Sequence, residues 1–286
     1  MAQTIDNINW YPGHMKKTRE LIRDNLKMVD AVVEVTDARI PMSSRNPLID
    51  EILGNKPRII ALNKSDLADE AASKGWSSHF SELGFQSVVI NAERGGGIKE
   101  LLRILESMEK EKNAGSAVKR PFRLMIVGVP NVGKSSLINR MTGRKSAKTG
   151  DKPGVTKGKQ WIRLTNGMQL LDTPGILWPK FEDPKAGMNL AFCGSIKDEI
   201  MDLPTLGMEL IGYLGEHYPQ LLMERYKLEE IGETPLETME AMAMKRGCIL
   251  PGKRIDYERI GRLVLDEFRA GKIGKLTIEP SGRQPA

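Results

Sequence analysis

Gly128-Val-Pro-Asn-Val-Gly133-Lys134-Ser135-Ser136, placed directly after the apolar run Arg123-Leu-Met-Ile-Val127, leaves this chain few ways to fold. The run is short and β-branched, as a buried strand of an α/β sheet is. Ser135-Ser-Leu-Ile-Asn-Arg-Met141 reads as the first turns of a helix. Between the two, the glycines let backbone N–H groups turn inward on a β-phosphate, Lys134 reaches the β/γ oxygens, and the Ser135 hydroxyl is placed for Mg2+. The phosphate lies against a helix N-terminus, where unpaired N–H groups and the macrodipole favour an anion.

A second element lies upstream. Asn63-Lys64-Ser65-Asp66 follows the strand run Arg58-Ile-Ile-Ala-Leu62, and so falls at the carboxyl end of a strand, where open α/β sheets bind ligands. Asp66 can accept hydrogen bonds from both N1–H and the exocyclic amine of guanine, and adenine offers no such donor pair. Each charge-assisted bond contributes about 1.5–3 kcal/mol. Asp172-Thr-Pro-Gly175 follows Met168-Gln-Leu-Leu171 and fits a D-x-x-G element, with Asp172 on Mg2+ through water and the Gly175 N–H at the γ-phosphate. Thr156, in Lys152-Pro-Gly-Val-Thr156-Lys157, lies where a switch threonine would coordinate Mg2+. Asn91-Ala92 ends the strand Ser87-Val-Val-Ile90 and occupies the place of a short base-supporting motif. In most GTP-binding domains the phosphate loop comes first and the base reader last; here the order is inverted.

With its motifs in this order, the chain resembles the circularly permuted GTPases of the ribosome biogenesis GTPase A family. The resemblance extends to Trp10-Tyr-Pro-Gly-His14-Met-Lys-Lys17 and to Thr36-Asp37-Ala-Arg39-Ile-Pro41-Met-Ser-Ser-Arg-Asn-Pro47, and is looser over the last third. It implies a circularly permuted P-loop GTPase domain of the α/β class, with a mostly parallel sheet and helices on both faces, followed by a small all-α C-terminal domain. It also implies a cytoplasmic GTP hydrolase that acts late in assembly of the large (50S) ribosomal subunit. The site carried over has Asn63, Lys64, Asp66, Asn91 and Ala92 around the base. Asn131, Val132, Gly133, Lys134, Ser135, Ser136 and Gly175 surround the phosphates, and Ser135, Thr156 and Asp172 hold Mg2+. For a loop of the Pro-Asn-x-Gly-Lys-Ser type the resemblance implies that Asn131 helps hold a K+ beside the phosphates; the alternative is that Asn131 only fits a tight turn.

Ile176 follows Gly175 where many GTPases carry the Gln that orients the attacking water. Its side chain can neither accept nor donate a hydrogen bond. Slow intrinsic hydrolysis is therefore expected, carried by Lys134, Thr156 and Gly175, with the missing group supplied when the large subunit stimulates the reaction. His14 is one candidate for that group, by orienting water once the subunit orders its segment. A helix-capping or RNA-contacting histidine is the other reading.

Period and punctuation set the organisation. Met15, Leu21, Ile22 and Met28 predict a helix over 14–28, Asp30-Ala-Val-Val-Glu-Val35 a strand, and further strand–helix alternations run to about Lys110. Residues 109–120 read as the linker joining the usual last helix to the usual first strand. The GTPase domain is expected over 1–182, a helical domain over 183–278 and a flexible tail over 279–286. Leu203, Leu206, Leu210 and Leu214 have helical spacing, and the segment from Asp256 to Gly271 has an N-cap, an apolar stripe and a terminal glycine. Lys245, Arg246, Lys253, Arg254, Arg259, Arg262, Arg269 and Lys272 could track RNA phosphates or form a solvated face.

With 286 residues, 40% of them hydrophobic, the chain can bury an α/β core and a second, smaller domain. A net charge of +6 suits an RNA partner without proving one. Cys193 and Cys248 lack metal-ligand spacing, which fits free thiols in a reducing compartment. No signal peptide and no bilayer-spanning run is read, so a cytoplasmic protein without membrane contact is expected, as a monomer. Two functions stay open: a GTPase whose GTP state binds a large-subunit precursor and its rRNA, or a GTP-gated RNA-binding module with incidental hydrolysis.

Overall fold

The computed structural model describes residue 20 and residues 23–45, 47–115, 120–143, 161–171 and 183–281. They fall into two compact units. One comprises the described residues up to Leu171 together with Leu276–Ser281, and the other Asp183–Lys275.

The first unit is built on a six-stranded sheet in the order β3-β2-β1-β4-β6-β5. Its strands are β1 (Ala31–Asp37), β2 (Arg58–Asn63), β3 (Gln86–Val89), β4 (Arg123–Val127), β5 (Trp161–Arg163) and β6 (Gln169–Leu171). All pair in parallel except β5 with β6. Every residue of β1 is buried, as the centre of a sheet covered on both faces requires. Parallel register puts Val32 beside Arg58 and Met125, so Val32, Ile60 and Met125 share one face, and Val33, Ile59 and Ile126 share the other. The first face buries two apolar clusters. One gathers Leu26, Val29, Val32, Ile49, Leu53, Met125, Val127 and Leu171, and uses helix α1 (Pro47–Leu53). The other gathers Ile60, Leu62, Ala68, Trp76 and Phe80, and uses helix α2 (Glu70–Glu82). Helices α3 (Ile98–Asn113) and α4 (Lys134–Thr142) bury Leu101, Leu105, Leu137 and Met141.

The chain therefore lays β1, β2 and β3 outward to one side, returns to the centre with β4, and builds the other side with β6 and β5. Adjacent central strands whose connections leave in opposite directions open a crevice at their carboxyl ends, and here those strands are β1 and β4. The linker expected over 109–120 begins later. Its charged start continues α3 to Asn113, and the helix gives way at Ala114 and Gly115, whose φ of 75° a side chain would strain. Glutamate and lysine are good helix formers, so their polarity does not mark a break.

The second unit is helical, with α5 (Pro184–Phe192), α6 (Leu203–His217), α7 (Pro219–Tyr226), α8 (Pro235–Arg246) and α9 (Tyr257–Arg269), apart from a short hairpin of β7 (Ile249–Leu250) and β8 (Arg254–Ile255). Proline opens or nearly opens α5 to α8, where its missing N–H costs nothing. Asp183, Thr234 and Asp256 cap α5, α8 and α9 through their side chains. Helices α6 and α9 touch backbone to backbone: a Cβ on Gly207 would stand 2.6 Å from the Gly261 Cα, and one on Gly261 2.6 Å from the Leu203 carbonyl.

One open choice is narrowed and one expectation corrected. Of the basic residues that could track phosphates or form a solvated face, several brace the unit from within. Arg225 and Arg246 both pair with the buried Glu267, and Arg269 pairs with Asp198 while donating to the Ala191 and Phe192 carbonyls. Arg259 donates to the Gly247 carbonyl and Arg262 pairs with Glu258. The helical domain was also expected to reach residue 278 with a tail beyond it. Leu276, Thr277 and Ile278 are instead buried, and they belong with the sheet unit.

Candidate nucleotide-binding site

The crevice is lined by the loops after β1, β2, β3 and β4. Gly128 follows β4 at φ 150°, and a Cβ there would stand 2.4 Å from the Val35 carbonyl of β1. Only glycine lets the phosphate loop leave the sheet so close to its neighbour. Asn131 adopts a left-handed φ of 60°, and Gly133, at φ 95°, leads directly into α4 at Lys134. No acidic side chain occupies the first turn of that helix, so its N-terminal N–H groups could meet an anion without competition from a carboxylate. Ser135 and Ser136 stand half-buried in this turn. The buried Lys134 folds its ammonium back over the loop and donates to the Val129 carbonyl at 2.5 Å.

Asn63, the last residue of β2, ties three loops together. Its Nδ2 donates to the Val132 carbonyl of the phosphate loop at 2.7 Å, and its Oδ1 accepts the Ala92 N–H at 2.9 Å. Gly133 makes room for this, since a Cβ there would stand 2.2 Å from the Asn63 Nδ2. Asn91 holds its own loop by accepting the Arg94 N–H at 2.8 Å, while its backbone bridges to Gly96. Arg140, in the last turn of α4, donates to the Ala92 carbonyl at 3.2 Å and to that of Glu93. Asp66 is half-buried, with the Arg94 guanidinium 4.0 Å away.

Lys64 is set by a group the motifs did not single out. Its backbone is left-handed at φ 62°, and its ammonium pairs at 3.0 Å with Asp37, the last residue of β1. The Asp37 carboxylate also accepts from the Arg39 N–H and Nε at 3.0 Å each and from Nη2 at 2.8 Å. Asp37 and Arg39 are each 1% exposed. Burial alone would push the Asp37 carboxyl up, but the Arg39 and Lys64 charges and the Arg39 hydrogen bonds outweigh it and hold the carboxyl well below the usual range. Elsewhere on β1, burial pushes the Glu34 carboxyl up, and Arg45 and Arg58 offset this only in part. That group lies among the core clusters and serves the fold.

The structure thus brings together Asn63, Lys64, Asp66, Asn91, Ala92, Asn131, Val132, Gly133, Lys134, Ser135 and Ser136. His14, Thr156, Asp172, Gly175 and Ile176 lie outside the described residues. Among the described residues, no three His, Cys, Asp or Glu side chains converge. A divalent ion would rely on the Ser135 hydroxyl and on phosphate oxygens here, which suits a hard, oxygen-seeking cation. Asp37 and Arg39 enter the sequence reading only through the resemblance, with no role, and Arg94 and Arg140 do not enter it; all four brace the loops around the crevice. Asp37 had a usable signal, a charge closing a run of buried strand residues.

The family model described as 50S ribosome-binding GTPase matches residues 123–226, starting at the strand that carries the phosphate loop. Ribosome biogenesis GTPase A of Bacillus cereus is 48% identical over 276 residues, covering 95% of this chain and 93% of that protein. The mouse mitochondrial ribosome-associated GTPase 1 is 34% identical, covering 97% and 91%. Among solved structures, GNP-bound YlqF from Thermotoga maritima superposes with a TM-score of 0.68 at 31% identity, covering 94% of this chain and all of that one. The GDP-bound YlqF structure gives 0.67 at 31% identity, covering 92% of this chain and all of that one.

Proposed function

The chain belongs to the ribosome biogenesis GTPase A family, a GTP-binding and GTP-hydrolysing protein of ribosome assembly, and from that premise we propose that its GTP state binds a large-subunit precursor through rRNA and that hydrolysis releases it. The observation that supports this reading is the pair of hydrogen bonds at Asn63, which donates to the Val132 carbonyl and accepts the Ala92 N–H, and so ties the phosphate loop to the base-reading loops. A change at the phosphates would then reach the base-reading loops through Asn63. The reading includes a monomer at work in the cytoplasm; no helix among the described residues is long and apolar enough to cross a membrane.

Hydrolysis in this family implies a divalent metal. Mg2+ would be held by Ser135 and Thr156, and by Asp172 through water, and would neutralise charge on the phosphate oxygens. Lys134 would leave the Val129 carbonyl for those oxygens. Slow turnover alone follows from Ile176 in place of a water-orienting side chain. The group supplied on the particle is assigned to His14.

Single-turnover hydrolysis and co-sedimentation with large-subunit precursors test this together. Expected are tight co-sedimentation with a non-hydrolysable GTP analogue, release with GDP, and a hydrolysis rate about a hundredfold or more higher on the particle, the order of one well-placed catalytic group. GTP-dependent binding without stimulation would favour the gated RNA-binding module instead, and a His14→Ala variant stimulated as well as wild type would remove that residue from the mechanism.

Asn131 gives a separate expectation. Its left-handed turn presents the side chain at the phosphate loop, where a K+ it helped to hold would neutralise transition-state charge. Turnover in KCl should exceed turnover in NaCl at equal ionic strength by roughly tenfold or more. Equal rates would leave Asn131 with a turn-forming role alone.

A further inference from the structure

The segment Leu276–Glu279 is fastened to the back of the base-reading loop. The Leu276 N–H donates to the carbonyl of Leu67, the residue after Asp66, at 3.1 Å. The Asp69 N–H donates to Thr277 Oγ1 at 3.2 Å. Further along, the Ile278 N–H donates at 2.8 Å to the Arg39 carbonyl, on the turn whose Asp37 holds Lys64. Glu279 closes the attachment at both ends. Its carboxylate accepts the Met42 N–H at 2.8 Å, the Ser43 N–H at 3.0 Å and the Ser43 hydroxyl, while its carbonyl accepts Trp76 Nε1–H at 2.6 Å.

These contacts lie on the stretch of backbone that carries the base-recognising side chains and on the one that braces it. Residues 64–69 carry Lys64 and Asp66, and residues 37–43 carry Asp37, which pairs with Lys64. A loop presenting a carboxylate to a base loses affinity when it must be ordered on each binding event. A carboxylate gathering several donors is a strong way to remove that freedom beforehand.

We propose that Glu279 is a positioning residue for guanine recognition, acting through the turn 38–43 and the loop 64–69 and never touching nucleotide itself. The proposal rests on Asp66 and Lys64 reading the base. It makes the end of the chain, beyond the helical unit in sequence, part of the machinery that selects the nucleotide.

The test uses full-length protein, with GDP affinity and pyrophosphate affinity measured well below the melting temperature. Pyrophosphate engages the phosphate loop and not the base loop. Glu279→Ala should weaken GDP about tenfold, the size of one lost charge-assisted contact, with pyrophosphate affinity unchanged. Glu279→Gln, which keeps one acceptor oxygen, should recover part of the loss. Thr277→Val, which removes the acceptor for Asp69 and leaves Glu279 in place, should weaken GDP several-fold. Wild-type GDP affinity in Glu279→Ala would overturn the proposal. So would a parallel fall in GDP and pyrophosphate affinity in Glu279→Gln and Thr277→Val, since general loosening has that signature. If wild-type protein itself bound ADP as tightly as GDP, the base-reading premise would fail instead, a result visible without any variant.

Discussion

Asp66→Asn should bind xanthosine diphosphate in preference to GDP. In the proposed role the carboxylate would accept two hydrogen bonds from guanine, each contributing about 1.5–3 kcal/mol when charge-assisted. The asparagine amide offers a donor where the exocyclic amine of guanine also donates, so both the charge and one acceptor are lost. At about 1.4 kcal/mol per tenfold, guanine affinity should fall by roughly a hundredfold to several thousandfold. Xanthine carries a carbonyl in place of that amine, and the new amide can donate to it. The fold should survive, because Asp66 is half-buried and the Arg94 guanidinium stands 4.0 Å away rather than in close contact. Calorimetric titration with both diphosphates reads the outcome, and undiminished guanine selectivity would contradict the assignment of Asp66.

Asp37→Asn should be costly to the fold as well as to the ligand. Arg39 is as buried as the carboxylate it embraces, and removing one partner of a buried pair leaves the other uncompensated, typically at about 3–5 kcal/mol. The variant should unfold at clearly lower urea and bind GDP more weakly, as Lys64 loses its anchor. The acid limb of stability should change too. Since the Asp37 carboxyl is held well below its ordinary range in the folded state, the unfolded chain binds more protons between the two pKa values, and stability rises with pH there. That contribution is fully present above the unfolded value of about 3.9 and is lost as pH falls through the folded one. The asparagine variant should lack this part of the acid dependence. Superimposable urea curves for wild type and variant at pH 7 would rule out the buried network as a stabilising element.

Much of the site is legible in the sequence because it is made of local backbone chemistry. The phosphate loop needs glycines at fixed offsets from a strand and a helix, and the structure places Gly128 and Gly133 where a Cβ would strike Val35 and Asn63. The base reader needs a strand end, and Asn63 is one. What the sequence left open or misread has an equally local cause. Basic residues along α8 and α9 could track phosphates or form a solvated face, and composition does not say which guanidinium turns inward to a buried carboxylate, as Arg246 does to Glu267. Charged residues after Lys110 look like a linker, yet they are also good helix formers, and α3 uses them so.

The sequence by itself determined the α/β class and the inverted motif order, and it supplied the candidates for meeting phosphate and guanine, because these depend on short-range patterns. Only the tertiary structure decided that Asp37 holds Lys64 across 27 positions, that Arg140 clamps the Ala92 loop across 48, and that Glu279 reaches back 236 to Ser43. Such pairings follow from strand order and chain return, and no local pattern encodes which distant donor a buried carboxylate will find.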